Sequence, residues 1–134
     1  MIVVDTNIIS YFFIRGEETE LAEKVFQRDH HWVAPLLWRS EFRNVLALCL
    51  RKDVISLEDA IQIMNKAELL MKGNEYSVSS FNTLRLVSLS GCSAYDCEFV
   101  ALAQQLNISL VTLDKKILKN FPEITMGLDK FSQK

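Results

Sequence analysis

Asp5, Glu41, Asp96 and Asp114 are the residues of this chain best placed to do chemistry. Asp5 ends the run Ile2-Val3-Val4, and Asp114 ends Leu110-Val111-Thr112-Leu113, each where a buried strand should stop. Glu41 and Asp96 stand where helical periodicity calls for apolar residues. Glu41 shares a predicted face with Leu37, Trp38, Val45 and Leu48, and Asp96 shares one with Phe99, Val100 and Ala103. The segment from Glu17 to Arg28 keeps the ordinary rule, with Leu21, Ala22, Val25 and Phe26 on the stripe and Glu20, Glu23, Lys24 and Gln27 off it. A buried, unpaired carboxylate is costly, so a chain neutralises it, pairs it or gives it a metal. Four converging acids raise one another's pKa unless a divalent cation lies between them. All four are hard oxygen donors, which points to Mg2+ or Mn2+ rather than Zn2+. Such an ion activates water and stabilises a leaving oxygen, the chemistry of phosphodiester hydrolysis.

Each acid also has an innocent explanation. Asp5 and Asp114 could be helix N-caps, and Asp96 could close a capping box with Ser93. Glu41 could pair with a distant cation such as Arg15 or Arg85, since Arg39 and Arg43 lie at unsuitable helical spacing. Thr6, Asn7 and Thr112 flank the acids and could orient carboxylates or waters, although Thr112 also suits a strand and Asn7 a first helical turn. Lys115, Lys116 and Lys119 could grip a nucleic-acid backbone, or form a solvated helix face. No Ser-His-Asp or Cys-His set competes. His30 and His31 are adjacent residues of a surface loop and cannot converge on one ion. Cys49, Cys92 and Cys97 lie in apolar stretches without a Cys-x-x-Cys pair and read as reduced core thiols of a cytoplasmic protein.

The elements that must position these residues alternate. Strands are predicted at Met1 to Val4, Trp32 to Ala34 (closed by Pro35), Glu75 to Val78 and Ser109 to Leu113, with a weak one at Ile124 to Met126. Helices are predicted over Thr6 to Ile14, Glu17 to Arg28, Leu37 to Arg51, Ser79 to Ser90 and Ala94 to Leu106, with a short basic one after Asp114. Ser56-Leu57-Glu58-Asp59 reads as a capping box opening a helix to Met71. Short connections imply right-handed crossovers around a mostly parallel sheet, a three-layer α/β/α fold with its chemistry beyond the strands' carboxyl ends. A chain of 134 residues, 49 % hydrophobic, is expected to form one domain over 1–134. Its net charge of −2 leaves any nucleic-acid binding to local patches. No basic region precedes the amino-terminal apolar run, and no stretch approaches about 20 apolar residues, so neither a signal peptide nor a membrane span is expected.

These residues resemble four blocks of the PIN-domain nucleases. Ile2-Val3-Val4-Asp5-Thr6-Asn7 with Ile8-Ile9-Ser10-Tyr11 is similar to their opening. Pro35 followed by Ser40-Glu41-Phe42 and Asn44-Val45-Leu46 resembles the second block. Ser93-Ala94-Tyr95-Asp96 with Phe99-Val100-Ala101-Leu102-Ala103 resembles the third, and Leu110-Val111-Thr112-Leu113-Asp114 the fourth. Length and block order resemble the VapC-type toxins of prokaryotic toxin–antitoxin pairs. The resemblance implies a PIN α/β/α sandwich and an Mg2+- or Mn2+-dependent endoribonuclease acting on RNA, with Asp5, Glu41, Asp96 and Asp114 as metal-site acids. It also implies an antitoxin protein as partner. Lys115 and Lys116 stand where some relatives carry a further acid, which leaves the number of metals open.

Other readings remain beside it. A free-standing PIN nuclease of RNA processing would look much the same. A phosphoacceptor domain is disfavoured because Asp5 has no acidic neighbour and no mid-chain strand ends in an acceptor Asp. A non-catalytic PIN-like binding module is disfavoured by the intact acid set. An inhibitor would bring Arg or Lys into the cluster and pack on Tyr11, Phe12 or Trp38, unless these are core. A homodimer is expected for so apolar a small chain.

Overall fold

The computed structural model describes residues 1–133. Five strands form the central sheet: β1 Ile2–Val4, β2 Trp32–Pro35, β3 Glu75–Tyr76, β4 Leu110–Thr112 and β5 Thr125–Gly127. Their spatial order is β3-β2-β1-β4-β5, and every pairing is parallel. The strands are short, two to four residues each. Those of β1, β2 and β4 are buried throughout, as covering by helices on both faces requires.

Eight helices complete the described chain: α1 Thr6–Phe13, α2 Thr19–Arg28, α3 Trp38–Arg51, α4 Leu57–Met71, α5 Ser80–Ser90, α6 Ala94–Leu106, α7 Lys115–Asn120 and α8 Leu128–Gln133. Right-handed crossovers in the direction β1 to β2 to β3 put α1 to α4 on one face. The return from β3 to β4 reverses direction, which sends α5 and α6 to the other face. The packing agrees: α1 meets α2, α3 and α4, whereas α5 packs on α6, and α6 on β1, β2 and β4. The result is the expected three-layer sandwich, with all rather than most of its sheet parallel.

Local chemistry explains most boundaries. Ser56 accepts from Asp59 N and Asp59 caps Ser56 N, the reciprocal box read from the sequence. Gly91 ends α5 in the left-handed region at φ 72°, which a residue without Cβ adopts freely. The third strand stops at Tyr76 instead of Val78. Beyond it the chain turns to place Ser79 as the N-cap of α5, accepting from Asn82 N. No element was expected at Leu128–Gln133, where α8 packs on α2 and buries Leu128. Six residues carry too little periodicity for that helix to stand out, so its tertiary contact decides. One contiguous core joins Val3, Val33 and Val111 of the sheet to Ile8 and Phe42 on one side and Phe99 and Leu102 on the other. No single helix among the described residues is long and apolar enough to cross a membrane.

Candidate active site

β1 and β4 are neighbours, yet the chain leaves β1 toward β2 and leaves β4 toward β5. The following helices part to opposite faces and open a crevice at the carboxyl ends of these two strands. Asp5 and Asp114 stand at that crevice. Asp5 follows Val4 directly, and its Oδ1 accepts from Thr6 N at 2.7 Å. Its Oδ2 accepts from Thr112 Oγ1 at 2.7 Å, while the same hydroxyl oxygen accepts from Asp114 N at 3.0 Å. One fully buried threonine therefore joins the two strand-end acids. Asp114 Oδ1 accepts from Lys116 N and Ile117 N at 2.8 and 3.1 Å. Both aspartates are thus helix N-caps, and both also line the crevice.

Glu41 and Asp96 come from the first turns of α3 and α6, one from each helical layer. Thr6 Oγ1 donates to Glu41 Oε1 at 2.7 Å, and Ser93 Oγ accepts from Asp96 N at 3.1 Å. The expected face of Glu41 needs correction. The core row of α3 is Trp38, Phe42 and Leu46, while Leu48 is 47 % exposed. Glu41 lies on the adjoining row with Val45 and Cys49, facing the crevice. An offset of one position around the helix separates the two rows, too small for periodicity to resolve. Glu41 has no ion pair among the described residues. Arg15 reaches Glu23 at 3.8 Å instead, and Arg39 pairs with Glu68 and Glu75.

The acids share one electrostatic field. Burial raises the Asp5 carboxyl to about 7, and the charges of Glu41 and Asp96 push the same way. Hydrogen bonds from Thr112 and Thr6 N oppose them. Burial likewise raises Glu41, with Asp96 and Glu98 adding repulsion against the Thr6 hydrogen bond. Asp96 is raised by burial and then by Asp114, and lowered by its bonds to Ser93 and by the Lys116 charge. Among the described residues, no three such side chains are drawn tightly enough to ligate one ion as they stand. Each of Asp5, Glu41 and Asp114 is instead turned onto a protein donor. The donor set is still all oxygen, the type that suits Mg2+ or Mn2+, and repulsion within it is what a cation would relieve.

The crevice holds about 580 Å³ and contains Thr6 and Asn7 beside the four acids. Asn7 Oδ1 accepts from Leu113 N at 3.4 Å, so it steadies the loop before Asp114 rather than a carboxylate. The cleft runs on past the acids between α1 and α3, where Ser10, Tyr11, Ile14, Arg15, Asn44 and Cys49 line it. Sequence reasoning did not single out Arg15 or Asn44 as lining residues. The available signal was spacing: Ser10 and Tyr11 lie three and four residues past Asn7, as Asn44 and Val45 do past Glu41. Lys115, Lys116 and Lys119 are not among the lining residues. Lys116 Nζ donates to Gly91 O at 2.9 Å, tying α7 to the turn before α6, while Lys115 and Lys119 are exposed. Of the aromatic residues considered for partner packing, Trp38 is fully buried, and Phe12 stacks among Phe13, Phe26 and Trp32. Only Tyr11 faces the cleft.

Comparison with known proteins agrees with this architecture. The PIN domain family model matches residues 2–123. Ribonuclease VapC3 from Pyrobaculum aerophilum is 24 % identical over 126 residues, covering 92 % of this chain and 96 % of the relative. The crystal structure of PAE2754 from the same organism superposes with a TM-score of 0.78 at 16 % identity, covering 98 % of this chain and 93 % of the other. A toxin–antitoxin complex from Klebsiella pneumoniae contains a chain matching with a TM-score of 0.68 at 16 % identity, covering 96 % of this chain and 98 % of that one.

Proposed function

Because this chain belongs to the PIN-domain family, we propose that it is a divalent-metal-dependent endoribonuclease and the toxin of a toxin–antitoxin pair. The observation that carries the nuclease reading is the convergence of four acids from four separate elements on one crevice at the sheet's switch point. The toxin reading is supported by the likeness to a VapC ribonuclease and to a chain of a toxin–antitoxin complex.

Asp5, Glu41, Asp96 and Asp114 would hold Mg2+ or Mn2+. When bound, the ion lowers the pKa of an attacking water and stabilises the charge on the leaving oxygen. Thr112 fixes the orientation of Asp5 and, through Asp114 N, the backbone of Asp114. Thr6 does the same for Glu41. Asn7 holds the β4–α7 loop at its distance from α1. Lys115 and Lys119, exposed on α7, would meet phosphates of RNA leaving the crevice. The antitoxin would reach the acids with an Arg or Lys, supplying positive charge in a partly desolvated site. Two copies would pair through apolar surface such as Phe81, Leu84, Leu89 and Tyr95, all more than 60 % exposed.

The test is cleavage of RNA by the purified chain with Mn2+, with excess EDTA, and by Asp5→Asn and Asp96→Asn. Loss of cleavage by orders of magnitude in EDTA and in both variants is expected. Cleavage at the wild-type rate by either variant or in EDTA defeats the reading. Growth arrest on expression of the wild type, relieved by Asp5→Asn, is expected of a toxin. Harmless expression with an active nuclease would leave a free-standing PIN enzyme. Sedimentation at twice the chain mass is expected of the homodimer.

A further inference from the structure

The cleft continues beyond the acids in a direction that the metal site does not use. Its floor runs along Glu41, Val45 and Cys49 of α3, about 12 Å at the helical rise, and its opposite wall is Asn7, Ser10, Tyr11 and Ile14. The far end has a different character from the near end. Arg15 is a cation whose side chain is 84 % exposed and whose ion pair with Glu23 spans 3.8 Å between exposed groups. Asn44 is exposed one turn beyond Glu41, on the cleft side. Ile14, Val45 and Cys49 supply apolar surface between them.

Tyr11 is held in place from behind. A Cβ on Gly16 would lie 3.2 Å from Tyr11 Cε1 and 3.3 Å from Cδ1, tighter than ordinary packing, so the glycine lets the loop lie close against the ring. Buried Thr19 fixes the loop that carries Arg15 and Gly16. Its hydroxyl donates to Tyr11 O at 2.7 Å and accepts from Gly16 N at 2.9 Å. The half-buried ring thus presents a preset surface to the cleft.

An aromatic platform, an amide able to pair with a base edge, and a guanidinium for a phosphate form a set suited to unpaired RNA, whose bases are free to stack and pair. A cleft of about 580 Å³ is the size of a small-ligand site. We propose that the groove between α1 and α3 is a nucleotide subsite of the RNA substrate, in which Tyr11 stacks on a base, Asn44 reads its edge and Arg15 contacts the adjoining phosphate. This rests on the nuclease reading, since a phosphodiester at the acids places the next nucleotide in this groove. Recognition falls to the end of the cleft that carries no catalytic acid.

The experiment measures anisotropy of a fluorescein-labelled single-stranded RNA octamer with the full chain in Ca2+, alongside cleavage in Mn2+. Tyr11→Leu should weaken binding about tenfold, while Tyr11→Phe, which keeps the ring, stays within about twofold of wild type. Arg15→Gln should weaken binding and flatten the salt dependence by about 0.7 in log–log slope, one phosphate contact on a single strand. Asn44→Ala should compress the differences among octamers of different base composition. Thermal unfolding confirms that each variant is folded, and Arg15→Gln, at an exposed side chain, carries the test alone where Tyr11→Leu does not fold. Wild-type affinity in Tyr11→Leu and Arg15→Gln, with cleavage intact, overturns the subsite and spares the nuclease reading. Binding that is sensitive to both variants without any cleavage keeps the subsite and defeats the nuclease. Wild-type RNA binding in variants that lose a protein partner instead assigns the groove to that partner and overturns the proposal.

Discussion

Removing the ionisable proton of Asp5 should flatten the fall in stability of the metal-free protein as pH rises. Asp5 is 8 % exposed, and its carboxyl is raised from an ordinary 3.8 to about 7, chiefly by burial. Below about pH 4 the group is protonated in both folded and unfolded chains. Between about 4 and 7 only the folded chain keeps the proton, and above 7 neither does. The folded state binds the extra proton, so its stability is highest at the acid end and falls as pH rises toward 7. The span from 3.8 to about 7, at about 1.4 kcal/mol per pH unit, amounts to roughly 4 kcal/mol.

Asp5→Asn removes this titration while keeping the shape. Asn Oδ1 can accept from Thr6 N, and its amide can donate to Thr112 Oγ1, at a cost of about 1 kcal/mol for the stranded hydroxyl proton. The variant should therefore be slightly less stable than wild type at pH 4.5 and about 2 to 3 kcal/mol more stable at pH 8. Glu41 and Asp96 are raised in the same direction and remain in both proteins, and their repulsion of Asp5 is part of what the comparison reads. Glu75 is lowered by its hydrogen bond from Arg39, and its contribution is lost at the acid end in both proteins alike. Urea unfolding in EDTA at several pH values, with unchanged m, reads the difference. A stability difference constant from pH 4.5 to 8 would refute the argument that burial and neighbouring acids govern this carboxyl.

Mn2+ should raise the melting temperature of the wild type, more at pH 8 than at pH 6 and less for Asp5→Asn, because the proposed site would take the ion on ionised acids of the folded state; differential scanning fluorimetry measures it. Asp114→Asn keeps an acceptor for Lys116 N and Ile117 N and should be close to neutral in EDTA, whereas Asp114→Ala should cost about 1 kcal/mol in chemical unfolding. Thr112→Val fills the same space but strands Asp5 Oδ2 and Asp114 N, and should cost about 2 kcal/mol where Thr112→Ser costs about half that or less.

The sequence was most readable where a residue's type contradicts its surroundings. Asp5 stood out because it ends a β-branched strand, and Asp96 because its helix is apolar around it. The capping box at Ser56 and the turn at Gly91 were legible because side chains a few residues apart, or a single φ, decide them. Glu41 was singled out on a face that proved to be offset by one row, since Trp38–Phe42–Leu46 and Glu41–Val45–Cys49 differ by less than periodicity resolves. The role of Thr112 as a bridge between two acids depends on the pairing of β1 with β4, a contact across more than a hundred residues. Helical spacing puts Asn44 on the face of Glu41, but that this face meets α1 and Arg15 is decided by tertiary packing, which nothing local announces. The helix α8 exists through its packing on α2 rather than through its own pattern.

The position of β1 in the sheet has a consequence for how the protein is made. This strand is synthesised well before β4, with which it pairs on one side, Leu110 and Val111 lying opposite Val3 and Val4. The four acids likewise occupy positions 5, 41, 96 and 114. At roughly 10 residues per second, on the order of ten seconds separates the synthesis of Asp5 from that of Asp114. Until β4 is made the strand has at most one of its two neighbours, β2, and the four acids are not yet together. A nascent chain of this design therefore carries an unfinished crevice until β4 has paired with β1.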